Sequence, residues 1–228
     1  MSATTTEHAL ALWLQLHDSA FPAGRMVHSH GLEEWLAARP DAGADAIEAV
    51  AMGYLTHAVA PLDATITAAA HRGSGSLPRL LELDELVSTY KLFDNARTAS
   101  TGTGRQLAAT ACDIGIEPPY LSAVLEGSSA GHAAVVDAVV QAELGIPVEM
   151  AVLGSLRSLL AAMLGAAVRL GRLGPLQSQR IQLRTVNAVV NLAEQACRRS
   201  PENVCSTAPT LEISAMRHEE RTARLFAT

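Results

Sequence analysis

The segment Gly127-Ser128-Ser129-Ala130-Gly131 spells GxSxG, the pattern that delivers a nucleophilic serine in many hydrolases. That chemistry requires a strand to carry the serine into a strained turn at a helix start. Here Pro119 to Glu126 has helical character, so a small-residue linker between helices is the simpler reading. A helical hydrolase using Ser129 is kept as the enzyme alternative. Gly102-Thr103-Gly104-Arg105 has the glycines of a phosphate loop but not its frame, GxxxxGK[ST], which the chain lacks throughout. Nucleotide hydrolysis by that chemistry is therefore not expected. His28 and His30 are two apart and would point to opposite sides of a helix, so they could share a metal only in extended chain. His57, His71, His132 and His218 are scattered, and a stably held cofactor or metal is not expected. Cys112, Cys197 and Cys205 form neither CxxC pairs nor a disulfide framework.

The elements that must position these residues are helices. Alanine and leucine dominate, β-branched runs are scarce, and no stretch alternates with period two. A first helix is expected from about Glu7 to Leu16, with Thr6 as N-cap, and a second from Ser29 or His30 carrying Leu32, Trp35 and Leu36. Residues 44–60 read as a long helix that Pro61 should kink or break, resuming over 62–71. Residues 80–111 read as one or two helices, interrupted near Asn95 or Gly102. Shorter helices follow over 119–126 and 132–144. Val148 to Leu170 is apolar almost all round, the pattern of a central helix packed on several sides. Residues 176–197 read as one further helix.

The same apolar stretch raises a membrane alternative, since Met150 to Val168 is near spanning length. Arg157 in its middle is costly in lipid and favours a buried core helix. Residues 1–16 lack the basic start of a secretory signal. The 228 residues carry a formal net charge of −6, which disfavours nucleic acid as a partner. Arg97 and Arg105 lie eight positions apart and share a face if their helix is continuous. They could meet an acidic partner or simply be solvated. The expected architecture is all-α: a single helical domain over residues 1–199 around a buried central helix, then a flexible C-terminal tail over 200–228. Residues 200–210 are too polar to order by themselves, and the sparse apolar residues beyond them suit either partner-induced folding or a frayed end.

One block is unusually specific. Leu12-Trp13-Leu14-Gln15-Leu16, Asp18-Ser19-Ala20-Phe21-Pro22-Ala23-Gly24 and His28-Ser29-His30-Gly31-Leu32-Glu33 together resemble the opening of the urease accessory family UreF. The ending resembles that family's tail: Ile213-Ser214-Ala215-Met216-Arg217-His218-Glu219, then Arg221 and Arg224-Leu225-Phe226. Arg97-Thr98-Ala99-Ser100 with Gly104-Arg105, and the region 132–182, add weaker support. Arg25 stands where many relatives have a second glycine, and His28 where many have tyrosine.

The resemblance implies a cytoplasmic, all-helical, non-catalytic protein that dimerises. It implies a bridge between a UreD/UreH-type scaffold and the GTPase UreG, acting in GTP-dependent nickel delivery to apo-urease. On that reading GTP is held by the partner and nickel is cargo. The contact residues expected at the N-terminal block are His28, Ser29, Gly31, Leu32 and Glu33. In the middle they are Arg97 and Arg105. In the tail, ordered by the UreD-type partner, they are Met216, His218, Glu219, Arg224, Leu225 and Phe226. Gly31 and Leu32 could equally serve only to shape and pack a turn.

Overall fold

The computed structural model describes residues 6–227, and among these every regular element is helical. The helices are α1 (Thr6–Leu16), α2 (Leu32–Ala37), α3 (Ala44–Tyr54), α4 (Thr65–Arg72), α5 (Leu77–Tyr90) and α6 (Asp94–Asp113). They continue as α7 (Pro119–Glu126), α8 (Ala133–Glu143), α9 (Val148–Arg169), α10 (Pro175–Arg184), α11 (Val186–Arg198) and α12 (Pro209–His218).

Helix α9 is the axis. Its Leu156, Leu160, Met163 and Leu164 are fully buried, each contributing about 2 kcal/mol of apolar burial. It packs against α2, α3, α4, α8, α10 and α11. Its length and apolarity would suffice to cross a membrane, yet 56% of its most apolar window is buried inside the chain. Arg157 is met there by Gln182. These contacts make α9 the core helix that the sequence pattern describes.

Pro61 does not break its helix, contrary to expectation. Residues Leu55–Ala64 form a π-helical stretch that carries α3 into α4 without interruption. The wider π-helical turns, with bonds to the fifth residue back, take the proline without a break. From outside this helix, the Thr207 amide donates to the His57 carbonyl at 2.9 Å and the Cys205 amide to the Pro61 carbonyl at 3.3 Å. The polar segment after residue 199 is held here by acceptors on the body, with Val204 buried beneath it.

The interruption expected near Asn95 or Gly102 falls at residues 91–93, just before Asn95, and Gly102 lies within α6. One other boundary differs from expectation. The helix expected over 176–197 is two helices. Thr185 ends α10 by turning its hydroxyl back to the Ile181 carbonyl at 2.8 Å. Helices α6 and α8 approach closely at Gly104, where a Cβ would collide with the Gly131 carbonyl. The two glycine-rich segments that resembled catalytic loops therefore meet each other, and packing explains Gly104 and Gly131.

Candidate functional site

The N-terminal block and the C-terminal tail, far apart in sequence, form one junction. His30 and Gly31 both take positive φ, 53° and 80°, and turn the chain into α2. Gly31 is required twice over. Its dihedral favours glycine, and a Cβ would strike the Leu211 carbonyl and lie 2.9 Å from the Ala215 amide nitrogen. This close approach seats α12 on α2.

Glu33 is the hub. Its carboxylate accepts from His218 Nε2 at 2.8 Å, from the Leu225 amide at 2.9 Å and from the Phe226 amide at 3.1 Å. Burial alone would raise its pKa. The donated bonds from Leu225, His218 and Phe226 outweigh burial and hold the carboxyl below the usual range. Glu34 adds an ion pair to Arg221 at 2.8 Å. Phe226 is buried with the Arg169 guanidinium 4.3 Å from its ring centroid. On the other side of α12, the Asn95 side-chain amide donates to the Ala215 carbonyl at 3.0 Å. Glu219 accepts from the Asn95 amide at 3.2 Å and so caps the start of α6.

The expected contact residues therefore divide. Ser29, Leu32, Glu33, His218 and Phe226 are buried within the chain, and His28 nearly so. In this conformation they hold the junction together and offer little surface outward. Gly31 packs the junction. Met216 and Leu225 are 52% and 60% exposed, and Glu219 and Arg224 are exposed beside them. Arg97 and Arg105 lie exposed on the continuous helix α6, as their spacing required. Arg97 also bonds the Lys91 carbonyl at 3.0 Å and faces Asp94 at 3.5 Å, bracing the α5–α6 connection.

Behind the junction lies a cavity of about 160 Å³ bordered by two ion pairs. Arg25 meets Asp137 at 2.7 Å, and Lys91 meets Asp63 at 2.8 Å. Asp137 also accepts from Ser155 at 2.5 Å and from Gln141 at 3.0 Å. Arg25, the departure from the family's glycine, thus anchors the loop to α8. Burial alone would lower the Lys91 pKa, and Asp63 and Tyr54 more than reverse this. Sequence reasoning missed these pairs. The available signal was an isolated acid in an apolar run, Asp137 between Val136 and Ala138.

Ser129 is not an activated nucleophile. Its hydroxyl donates to Asp84 at 2.6 Å, and the same carboxylate accepts from the Gly131 and His132 amides. His132, the nearest imidazole in sequence, has both ring nitrogens 2.9 Å from other hydroxyls, those of Ser88 and Ser100. Asp84 is therefore a clamp for the α7–α8 loop, and His132 is held away from Ser129 by Ser88 and Ser100. Among the described residues there is no group of three or more histidine, cysteine or acidic side chains poised for a metal ion.

Comparison with known proteins is consistent across the chain. The family model described as UreF matches residues 42–186. The urease accessory protein UreF of Arthrobacter sp. (strain FB24) is 31% identical over 227 residues, covering 98% of this chain and 99% of that protein. The protein of the same name from Kocuria rhizophila is 30% identical over 226 residues, covering 93% and 94%. That from Corynebacterium efficiens is 28% identical, covering 99% of both. The family match leaves out both the Glu33 block and the tail, which the full-length relatives include.

Proposed function

The chain belongs to the UreF family, and from that premise we propose that it is a non-catalytic assembly partner in urease maturation. In this reading it bridges a UreD/UreH-type scaffold and the GTPase UreG, and the assembly delivers nickel to apo-urease as GTP is hydrolysed on the partner. It works in the cytoplasm as a homodimer and holds no cofactor of its own.

The observation that carries this reading is the Glu33 junction. It brings the two most order-specific segments of the resemblance into one composite surface whose inner side is satisfied and whose outer side is not. Glu33, His218 and Phe226 fix the tail from within. Met216 and Leu225 are exposed apolar side chains of this tail, and Glu219 and Arg224 are exposed in the same tail. Exposed apolar side chains accompanied by charged ones are common at protein interfaces. This outer face is the proposed seat of the UreD-type partner, which would hold the tail in this docked form. The exposed arginines of α6, Arg97 and Arg105, form a second face suited to an acidic partner surface.

Co-purification of the tagged chain with its cognate UreD-type protein and UreG tests the reading. The intact chain is expected to capture both, and a chain ending at residue 200 to lose the UreD-type protein. Capture of neither by the intact chain would remove the functional content of the proposal.

A further inference from the structure

The cavity behind the junction measures about 160 Å³ and opens to solvent. Val59, Leu107, Leu156, Leu159 and Ala162 make its walls mostly apolar. An apolar cavity of about 150 Å³ is large enough to take a benzene ring. The two ion pairs on its border are closed on themselves, Lys91 on Asp63 and Arg25 on Asp137. A charged guest must break one of these pairs or enter without a counter-charge, and both are costly. The walls therefore select a neutral guest.

A chain of hydrogen bonds aims one polar atom at that guest. The Asp137 carboxylate only accepts, so Gln141 Nε2 donates to it at 3.0 Å. This fixes the side-chain amide with its Oε1 toward His17 Nε2, at 3.3 Å. Burial pushes the His17 pKa down against the pull of Asp137, so the ring is neutral at neutral pH. Its one proton then sits on Nε2, facing Gln141, and Nδ1 is an acceptor 2.8 Å from Ser158 Oγ. The Ser158 hydroxyl donates to that nitrogen, which leaves its oxygen, on the cavity wall, able to accept. His30 and Tyr54 border the same cavity. Neither the His30 ring nitrogens nor the Tyr54 hydroxyl has a hydrogen-bond partner among the described residues.

We infer that this cavity is a binding site for a small neutral phenol, whose ring fills the apolar body and whose hydroxyl donates to Ser158. An apolar pocket with a few convergent polar groups is the usual form of a small-molecule site. The inference goes beyond the assembly reading and does not rest on it, so either can fail alone.

A titration of the full chain with phenol tests it. Lys91 is the only lysine in the sequence. Protein labelled with 13C-lysine therefore gives one side-chain signal, and it comes from the cavity wall. Phenol should shift that signal saturably, with a Kd of about 1 mM or below. Ala96→Phe on α6 and Ala133→Leu on α8 fill the cavity from two elements. Both alanines are only partly buried, so the larger side chains need not disturb the core. Each should weaken phenol about tenfold or more. Ser158→Ala should weaken phenol about fivefold, as for one neutral hydrogen bond, and leave toluene unchanged. Benzoate and benzylamine should bind about tenfold more weakly than phenol. N-acetyltyrosinamide, which carries the same ring on a peptide-like body, should also bind more weakly. A shift that never saturates, or that persists in both filled variants, would overturn the inference. So would toluene or benzoate binding as tightly as phenol. Tighter binding of N-acetyltyrosinamide would overturn it as well, by assigning the cavity to a tyrosine of another chain.

Discussion

His218 Nε2 lies 2.8 Å from Glu33 Oε2, a bond between residues 185 positions apart and both shielded from solvent. With the carboxyl held in its charged form, the ring must donate from Nε2. Replacing the carboxylate with a carboxamide weakens three donated bonds without changing shape. Glu33→Gln should cost about 2 kcal/mol, as for hydrogen bonds to buried charge, read as a lower urea midpoint. The sign of the pH dependence follows from the depressed pKa of Glu33. Its contribution is complete above the unfolded value near 4.5 and is lost as pH falls through the lower folded value. The stability gap between the unaltered chain and Glu33→Gln should be constant around neutrality and close in acid.

Met216 and Leu225 are exposed and bear little of the fold's stability. Met216→Ala and Leu225→Ala should each move the urea midpoint by less than the equivalent of about 0.5 kcal/mol. If the outer face of the tail seats the UreD-type protein, each should weaken its capture about tenfold, as for a buried apolar anchor at an interface. Titration of the purified components measures both effects.

Arg97 and Arg105 separate the same way, although only one is free of a structural task. Arg105→Glu should leave stability within about 0.5 kcal/mol and reduce capture of an acidic partner. Arg97→Glu also severs the bond to the Lys91 carbonyl and should destabilise the α5–α6 connection by about 1 kcal/mol. Salt-dependent binding curves, beside thermal melts, distinguish the two.

Ser129→Ala decides the enzyme alternative. Asp84 retains the Gly131 and His132 amides, so the loss should be about 1 kcal/mol. Partner capture should be unchanged, and neither chain should hydrolyse an activated ester above background. Loss of capture with the fold intact would contradict this account of the serine.

The helical class, the central position of α9 and most helix ends were legible because they depend on periodicity and punctuation. The continuation through Pro61 was not, because the π-helical turns that take the proline have no signature in local spacing. Asp84 and Asp137 were missed because each satisfies groups tens of residues away. Asp137, a lone acid in an apolar run, signals that a partner exists without naming it, and Asp84, between Glu82 and Glu85, gives no such signal. The residues expected to make contacts were picked out through the family resemblance alone. Their division into buried latch and exposed face was not legible, since Glu33 and Arg224 are both simply charged until the chain folds.

The bonds to Glu33 also set an order of events in synthesis. Residue 33 emerges early, carrying a carboxylate destined for burial, and its partners His218, Leu225 and Phe226 follow 185 to 193 positions later. Closure over so long a span comes late and is entropically costly, so α2 stays unlatched while the helices between are made. A chain cut short before residue 218 keeps the helical body but leaves Glu33 without these donors.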